Sequence, residues 1–318
     1  MKIVYIADTA SPKVFYVPYS NLLLLTPLSE YCTFIECNDL ETTKREVQDA
    51  DVVYLENYRA LSFKDDLLFL NNLPLFICAS YCDIWRQPWW GNFSIRIDAH
   101  IGVYRDCAKR VLPWYDKYFW SPCRVHKFDF EEKERDIDII FWGQWKDHSY
   151  DFRKYVYSNY IIPWTKDKEP IQTPNGRYDY NIEVNSKTYK LCVISQHGDH
   201  FGSRLYELLN RSKIAISGPM HKKGSQCAAG KFFENAMYGA VNITPYFHDS
   251  EDLGFIDREN IWYTNENKFV EDLGYLLENP DVVSNISKNS MEMAISKHTD
   301  KIRAKEFYNF LKEKTGKE

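Results

Sequence analysis

The 318-residue sequence lacks several patterns that would assign it a function at once. Its eight cysteines are scattered and include no C-x-x-C pair, so they indicate buried free thiols in a reducing compartment. No G-x-G-x-x-G follows the first predicted strand, so that dinucleotide fingerprint is absent. No apolar run approaches the ~20 residues of a membrane span, and Asp8 interrupts the first run before it reaches signal-peptide length. These absences predict a soluble cytoplasmic protein that holds no metal.

A surplus of positive charge is missing too. The net charge is −5, and residues 1–130 contain 14 basic against 16 acidic side chains. Proteins that bind nucleic acid through its backbone need Lys and Arg to neutralise phosphates. The composition therefore argues against a general nucleic-acid-binding protein. Residues 105–127 are a local exception, with a charge of +4 and five interleaved aromatic side chains.

Apolar strands alternate with amphipathic helices along the chain. Lys2 to Ala7, Asp51 to Leu55 and Leu73 to Ala79 read as buried strands, with helical segments between them. This alternation is typical of an α/β protein with a parallel, doubly wound sheet.

The length predicts about two domains. The charged run from Phe130 to Asp136 is typical of a solvated linker, so we expect domains at 1–130 and 137–298. Residues 163–187 read as irregular because they contain a Pro-Asn-Gly turn and few apolar runs. A last helix is expected within residues 299–318.

The most informative stretch begins after a predicted strand at Lys213 to Ser217. A polar loop comes next, followed by a helix from about Ala229 to Tyr238, which Gly239 should end. A second predicted strand runs from Ala240 to Thr244. A strand–loop–helix–strand unit places its loop and its helix N-terminus at the carboxyl edge of a parallel sheet.

The residues at this helix N-terminus suit a diphosphate. Backbone N–H groups and a partial positive charge attract an anion there, Gly230 lets the anion approach the backbone, and Lys231 adds a full charge. Glu234 lies one turn further on, where a carboxylate can accept hydrogen bonds from a pair of ribose hydroxyls. The alternative is an ordinary helix with one buried face and a solvated Lys and Glu, and the residues alone leave both interpretations open.

Lys231-Phe-Phe-Glu234-x-Ala236-x-x-Gly239 resembles the Lys/Arg–aromatic–Glu–Ala–Gly signature of group 1 glycosyltransferases with the GT-B fold. Upstream, Tyr206 and the run Asn210-Arg-Ser-Lys-Ile214 are similar to the spore-maturation (CgeB-like) branch of these enzymes. Downstream, Asp252-Leu-Gly-Phe255, Asn260 and His298-Thr299 match that branch in order. The resemblance covers about residues 136–303 and is specific in combination.

The resemblance implies two Rossmann-like domains facing across a cleft, with the helix at 299–318 crossing back to the first domain. It implies a hexosyl- or pentosyltransferase that moves a sugar from a nucleotide-diphosphate sugar, with UDP as the expected nucleotide. The acceptor would be a carbohydrate or a small glycosylated molecule, and neither a metal nor another cofactor is expected. The residues expected to bind the donor are Glu234, Lys231, Gly230, Gln226, Lys222, Lys223, Gly143, Lys146, Arg153 and His197.

Gln226 is a departure from the wider superfamily. Many relatives carry a Glu eight residues before the second Glu, where it contacts the sugar or phosphate, and counting back from Glu234 gives Gln226. A neutral amide can still hydrogen-bond a sugar hydroxyl, but it cannot supply a carboxylate.

The acceptor side of the enzyme is expected at loops of the first domain. Trp85, Arg86, Trp89 and Trp90 form an aromatic and cationic loop that suits stacking on sugar rings or on bases. A packing loop is the other interpretation of the same residues. The candidate catalytic residues are Asp83, His100 and Asp8.

Two other functions are compatible with the same residues. A DNA base glycosyltransferase, as in some viral relatives, would use the basic and aromatic stretch at 105–127. A non-catalytic nucleotide-sugar-binding scaffold would account for Gln226 and for the uncertain catalytic base.

Overall fold

The computed structural model describes residues 1–7, 27–56, 63–80, 94–112, 115–127, 134–145, 150–173, 177–194, 203–222 and 224–317. The chain forms two compact units. The first unit comprises residues 1–126 and 299–318, and the second comprises residues 127–298. No helix among the described residues is long and apolar enough to cross a membrane.

A six-stranded parallel sheet forms the first unit, in the order β2-β1-β3-β4-β5-β6. Its strands are β1 (Lys2–Ile6), β2 (Thr33–Cys37), β3 (Val52–Glu56), β4 (Phe76–Ser80), β5 (Ala99–Gly102) and β6 (Tyr118–Trp120). Its described helices are α1 (Leu40–Glu46), α2 (Arg105–Val111) and the last helix of the chain, with 3₁₀ turns at Val47–Asp49, Lys64–Asn72 and Tyr115–Lys117. The helical segment expected between the strands at Asp51 to Leu55 and Leu73 to Ala79 is thus, in its described part, a 3₁₀ segment.

Both faces of the first sheet are buried. Val4, Ile6 and Val53 belong to one apolar cluster, whereas Ile3 and Tyr54 belong to the cluster on the opposite face. The alternation follows from the two-residue period of a strand. Burial on both faces is what a doubly wound parallel sheet requires.

The last helix of the chain packs on the face of Ile3 and Tyr54. In the chain-order numbering used here it is α9 (Asp300–Thr315), and Phe307 and Leu311 are the side chains that it buries there. Phe310 stacks on Phe119 of β6 with ring centroids 4.3 Å apart. The final helix is therefore part of the first unit, as the fold class predicted from the sequence requires.

The second unit contains a seven-stranded mixed sheet in the order β15-β14-β11-β7-β10-β9-β8 and a separate hairpin of β12 and β13. The strands are β7 (Ile137–Trp142), β8 (Ile171–Thr173), β9 (Arg177–Val184), β10 (Lys187–Ile194), β11 (Ser212–Ile216), β12 (Met220–Lys222), β13 (Ser225–Cys227), β14 (Val241–Thr244) and β15 (Trp262–Tyr263). The helices are α3 (Asp151–Val156), α4 (Ile162–Thr165), α5 (Ser203–Asn210), α6 (Gly230–Met237), α7 (Phe269–Glu278) and α8 (Pro280–Lys297).

The two units share one strand order. When the parallel strands of the second unit are numbered in chain order, β7, β10, β11, β14 and β15 lie in the order 2-1-3-4-5. The first five strands of the first unit have the same order. In such sheets ligands bind beyond the carboxyl ends of the strands, where the direction of winding reverses. For the second unit this switch point lies between β7 and β11.

Residues 163–187 are not irregular, contrary to the expectation from the sequence. They include β9, which pairs antiparallel with β10, and β8, which pairs antiparallel with β9. Asn185 and Ser186 both have positive φ, at 50° and 63°, and this primed turn joins β9 to β10. Asp179, which is paired with Arg177, is buried in β9, and this polar run masked the alternation of the strand.

The polar loop expected before Ala229 is also partly ordered. Met220 pairs with Cys227 and His221 with Gln226, so this segment forms an antiparallel hairpin. Helix α3 continues through a π-helical turn at Tyr157–Ile161 into α4.

The end of the charged run at 130–136 is not a solvated linker. Arg135 donates a hydrogen bond to the carbonyl of Ser212 at 2.9 Å and another to that of Gly239. The Arg211 guanidinium, followed by Lys190, holds the pKa of Asp136 well below its usual range. Arg135 therefore holds the C-terminus of α6, where the last carbonyls need donors. Asp136 holds the start of β7 through its ion pairs with Arg211 and Lys190.

Gly239 ends α6 in the left-handed conformation, with φ of +73°. A Cβ at Gly239 would lie 2.2 Å from Arg135 Nη2 and 2.7 Å from Met291 Sδ. We expect Gly239→Ala to lower the free energy of unfolding by about 2–4 kcal/mol, because it adds this overlap to the cost of a left-handed alanine. Urea unfolding followed by circular dichroism measures the loss.

Gly316→Ala is the matched control for this prediction. Gly316 also has positive φ, at +67°, but a Cβ there meets nothing within 4 Å. Its substitution should therefore cost only about 1 kcal/mol. Equal losses in the two variants would contradict the assignment of the larger effect to the Arg135 contact.

Candidate active site

The sequence-predicted donor residues meet at the switch point of the second unit. β7 ends at Trp142, and Gly143 follows in the left-handed region with φ of +83°. Helix α6 begins at Gly230 behind the N-cap Ala229, which has no side-chain hydrogen bond to the helix. A Cβ at Gly143 would lie 3.1 Å from Lys231 Nζ and 3.6 Å from Arg153 Nη1. Glycine at position 143 therefore leaves room for two cations.

Arg153 is fully buried. Its Nη1 donates to the carbonyl of Gln144 at 2.6 Å, and Nη2 donates to the carbonyl of Trp142. Burial lowers the pKa of the guanidinium to about 10, so Arg153 stays charged at neutral pH. The end of β7 is therefore held by a buried positive charge.

Lys231 lies beside this charge and is only 8% exposed. Its Nζ is 5.5 Å from the ring centroid of Trp142 and 5.2 Å from that of Tyr150. Among the described residues it forms neither a hydrogen bond nor an ion pair. Burial lowers the pKa of Lys231 well below its usual value, and the charge of Arg153 lowers it further. A buried ammonium without an anionic partner is costly, so this site suits an anionic ligand.

Glu234 is half-buried on the same helix, one turn after Lys231. The Tyr206 hydroxyl of α5 donates a hydrogen bond to Glu234 Oε1 at 3.4 Å, and the Tyr206 ring stacks on Tyr238 at 4.7 Å. Burial raises the pKa of Glu234 to about 7, against the opposing effects of Lys231 and of the Tyr206 hydrogen bond. Its carboxyl group therefore changes charge near neutral pH.

A buried amide network fixes α6 to three strands. Asn235 Oδ1 accepts from Trp142 Nε1 at 2.9 Å, and its Nδ2 donates to Ser217 Oγ at 2.9 Å and Asn242 Oδ1 at 2.7 Å. Asn242 Nδ2 donates to the carbonyl of Phe232 at 3.0 Å. Trp142, Asn235 and Tyr206 were not predicted as site residues from the sequence. The readable signals were the position of Trp142 at a strand end and of Asn235 next to Glu234.

Two further polar atoms at this place have no hydrogen-bond partner among the described residues. They are Gln144 Oε1 and Arg153 Nε, and both are buried. Buried polar atoms in folded proteins are almost always paired, so unpaired ones need an explanation. Together with Lys231 they lie around the end of β7, and this clustering is typical of a binding site.

The hairpin before α6 brings Gln226 toward the segment after β14. The backbone N–H of Gln226 donates to His248 Nδ1 at 3.0 Å, and the His248 N–H donates to the Gln226 carbonyl at 2.9 Å. A Cβ added at Gly230 would meet no atom of the described residues within 4 Å. Lys222 ends β12, and the structure describes its backbone alone.

Several predicted site residues lie outside the described residues. They are Lys223, Lys146 and His197 on the donor side, Trp85, Arg86, Trp89 and Trp90 on the acceptor side, and the catalytic candidates Asp83 and Asp8. Their roles stay predictions.

His100 is the one catalytic candidate that the structure describes. It lies on β5 and is 4% exposed. Burial lowers its pKa to about 3, and the charge of Lys117 adds to this effect. His100 is therefore neutral at physiological pH and a weak base, and its catalytic role stays a prediction.

Acidic residues at metal-like spacing are engaged elsewhere. Asp136 and Asp138 lie at the start of β7, opposite the carboxyl edge, and they form ion pairs with Arg211 at 2.6 Å and Lys213 at 2.7 Å. In the part of the chain that the structure describes, no group of three or more His, Cys, Asp or Glu side chains is arranged to hold a metal ion.

The downstream residues that carry the family resemblance support α6 from behind. Phe233 packs edge-on against Phe255 at 5.5 Å and against His298 at 4.6 Å. His298 Nε2 lies 2.7 Å from the carbonyl of Leu253, and Asn260 donates to the carbonyl of Gly254 at 2.8 Å. These residues hold the face of α6 that points away from Lys231 and Glu234.

Two doubly wound α/β units, one with a cationic helix terminus at its switch point, define the GT-B class of nucleotide-sugar enzymes. Residues 131–309 match the model of a family described as glycosyl transferase-like, and the match covers more than half of the chain. The chain belongs to that family, and it is a glycosyltransferase. A search of curated protein sequences finds no match.

Solved structures of glycosyltransferases share the fold over nearly the whole chain. HepE of Anabaena, in complex with UDP and glucose, is 8% identical, with 98% of this chain and 100% of that chain covered at a TM-score of 0.65. Sucrose-phosphate synthase of Thermosynechococcus elongatus is 9% identical, with 99% of each chain covered and a TM-score of 0.64. A glycosyltransferase of Rickettsia africae is 10% identical, with 98% of each chain covered and a TM-score of 0.61. The predicted fold class is confirmed.

The raised pKa of Glu234 predicts a pH-dependent stability. The folded value of about 7 lies above the ordinary 4.5, so the stabilisation is fully present below about pH 4.5 and is lost as pH rises through about 7. Glu234→Gln keeps the neutral form at every pH. We therefore expect its free energy of unfolding, relative to wild type, to increase by about 1–3 kcal/mol between about pH 5 and about pH 8.

Urea unfolding at several pH values measures this difference. Glu271→Gln is the matched control, because Glu271 is exposed on α7. A difference that stays constant across the pH range for Glu234→Gln would show that the carboxyl group is ionised throughout.

Proposed function

We propose that this glycosyltransferase takes its sugar from a UDP-sugar held by the second unit and needs no metal to do so. Lys231 carries the proposal: its amino group, buried and without a hydrogen-bond partner among the described residues, lies close to Gly143 at the N-terminus of α6. The sugar nucleotides in the complexes of HepE, which contain UDP or UDP-glucose, support the choice of nucleotide.

The donor diphosphate would meet four cationic side chains and a helix terminus. Lys231, the N–H groups at the start of α6, Lys222 at the end of β12 and the following Lys223 would stabilise the negative charge that develops on the departing nucleotide. Arg153 contributes from behind the end of β7. Once the donor is bound, positive charges of this kind would do the work that a divalent ion does in other transferases. Glu234 would accept hydrogen bonds from the ribose hydroxyls.

The acceptor is proposed to bind at the first unit and to be a carbohydrate or a small glycosylated molecule. The balance of charge in residues 1–130 supports this choice over DNA, and aromatic rings such as those of Trp85, Trp89 and Trp90 serve sugars without a net positive charge. Asp83, Asp8 and His100 remain the candidates for the catalytic base. The order of motifs from Tyr206 to His298 supports a place in the spore-maturation branch.

Donor affinity tests the second-unit site. We expect Glu234→Ala to weaken UDP-glucose binding by about 1–3 kcal/mol, since it removes a charged hydrogen-bond acceptor. Lys231→Ala should weaken binding about tenfold or more, because the diphosphate loses a desolvated cation. Lys222→Ala and Lys223→Ala should have smaller effects. Isothermal titration calorimetry measures all four variants.

Exposed residues of the second unit supply the controls. Glu271→Ala and Lys288→Ala remove the same charges from the surfaces of α7 and α8 and should bind UDP-glucose as wild type does. If Glu234→Ala and the three lysine variants kept wild-type affinity with an intact fold, the donor site would be misplaced.

Binding to DNA tests the acceptor. We expect little binding to duplex or single-stranded DNA at physiological salt, because a protein with net charge −5 has no general surplus of cations. A fluorescence anisotropy series from low to high salt measures it. Micromolar binding that falls steeply with salt, together with sugar transfer onto DNA, would establish a DNA base as the acceptor. Arg105→Ala and Lys109→Ala would then report whether residues 105–127 hold the strand.

A further inference from the structure

Lys231 and Glu234 form an unusual pair. They are one helical turn apart on α6, and residues at this spacing are neighbours on a helix surface. They nevertheless form no ion pair with each other in the described structure. Lys231 is buried and Glu234 is half-buried, so both charged forms lose hydration without the direct contact that would offset this loss.

The groups around Lys231 oppose its charge more than they support it. Arg153 of α3 is a permanent cation, and the walls on the β7 side are the rings of Trp142 and Tyr150. Glu234 is the one carboxylate that acts on Lys231 from the same helix. Helix α6 also packs against α5, which contributes Tyr206 to Glu234, and against β14 and α8. These last two elements bond to α6 and its final turn through uncharged side chains.

In the free site both members of the pair are therefore biased toward their neutral forms. Burial lowers the pKa of Lys231 and raises that of Glu234, in each case by disfavouring the charged form. Binding of a nucleoside diphosphate sugar favours the charged form of both groups. Its phosphates bind an ammonium more strongly than an amine, and ribose hydroxyls donate more strongly to a carboxylate than to a carboxylic acid.

We propose that donor binding converts this pair from a neutral amine and a neutral acid into an ammonium and a carboxylate. The inference rests on the proposed donor site and adds a protonation change to it. One proton leaves the Glu234 carboxyl group and one proton arrives at Lys231 Nζ. The net exchange with solvent is close to zero in the wild-type protein, and the positive charge appears beside the diphosphate only when the diphosphate is present.

Calorimetry in buffers of different ionisation enthalpy counts the protons. UDP-glucose is the probe, because its diphosphate lacks the terminal phosphate whose second ionisation lies near neutral pH. Wild-type binding should have an enthalpy nearly independent of the buffer. Glu234→Gln removes the group that releases a proton, so its binding should take up as much as about one proton, and its affinity should fall as pH rises.

Lys231→Met removes the amino group that would take up a proton when the donor binds. Its binding should be weaker and should release more than about half a proton at about pH 6.5, where Glu234 is mostly protonated. Its affinity should rise as pH increases through about 7. Buffer-independent enthalpies in both variants across this pH range would overturn the proposal, since the pair would already be charged before the donor binds.

Nuclear magnetic resonance separates this proposal from the donor site itself. The ¹³Cε signal of Lys231, assigned by its loss in Lys231→Met, should report a neutral amine in the free full-length protein at about pH 8.5 and an ammonium after saturation with UDP-glucose. A charged Lys231 in the free protein would overturn the proposal even if the variants bind too weakly for calorimetry. Failure of wild type to bind UDP-glucose, with Lys231 neutral, would instead refute the proposed donor.

Discussion

The second unit depends on the hydrogen bonds that the Arg153 guanidinium donates to the carbonyls of Trp142 and Gln144. Parallel strands end with carbonyls that no neighbouring strand satisfies, and the sharp turn at Gly143 would otherwise leave them buried and unpaired. A guanidinium satisfies both at once because its donors form a rigid fork. The same group introduces a positive charge behind the turn. One guanidinium therefore both holds the end of β7 and supplies positive charge at the switch point.

The amide network completes this arrangement. Asn235 connects the indole of Trp142 to Ser217 and Asn242, so α6 is bonded to the ends of β7 and β11 and to β14. A fully satisfied polar network inside a core fixes a single geometry, because any shift leaves a buried group unpaired. Lys231 and Glu234 therefore project from a helix whose rotation about its axis is fixed. Precise placement is what electrostatic stabilisation of a leaving group requires.

The amino-acid sequence predicts the layers of the fold and the central part of the site, but not what supports them. The strand–loop–helix–strand unit is predictable because its pattern lies within one segment of the chain. The same is true of Lys231, Glu234 and the end of the helix at Gly239. Asn235 and Asn242 were invisible because their partners come from different strands, and tertiary structure alone brings those together. The burial of Arg153 was not predicted, since its partners are backbone carbonyls, which leave no signal in a sequence. The β8–β9 extension was missed because the buried Arg177–Asp179 pair interrupts its apolar alternation.

The second unit is inserted into the first. Val125 and Thr299 lie side by side in an isolated parallel bridge, so the chain leaves the first unit and returns to it at neighbouring points. During synthesis from the N-terminus, the second unit is complete once residue 298 has emerged. The first unit, although it begins earlier, still lacks α9 and the side chains of Phe307 and Leu311 that cover one face of its sheet. The order of completion is therefore the reverse of the order of synthesis, and the nascent first sheet exposes an apolar face until the last helix leaves the ribosome.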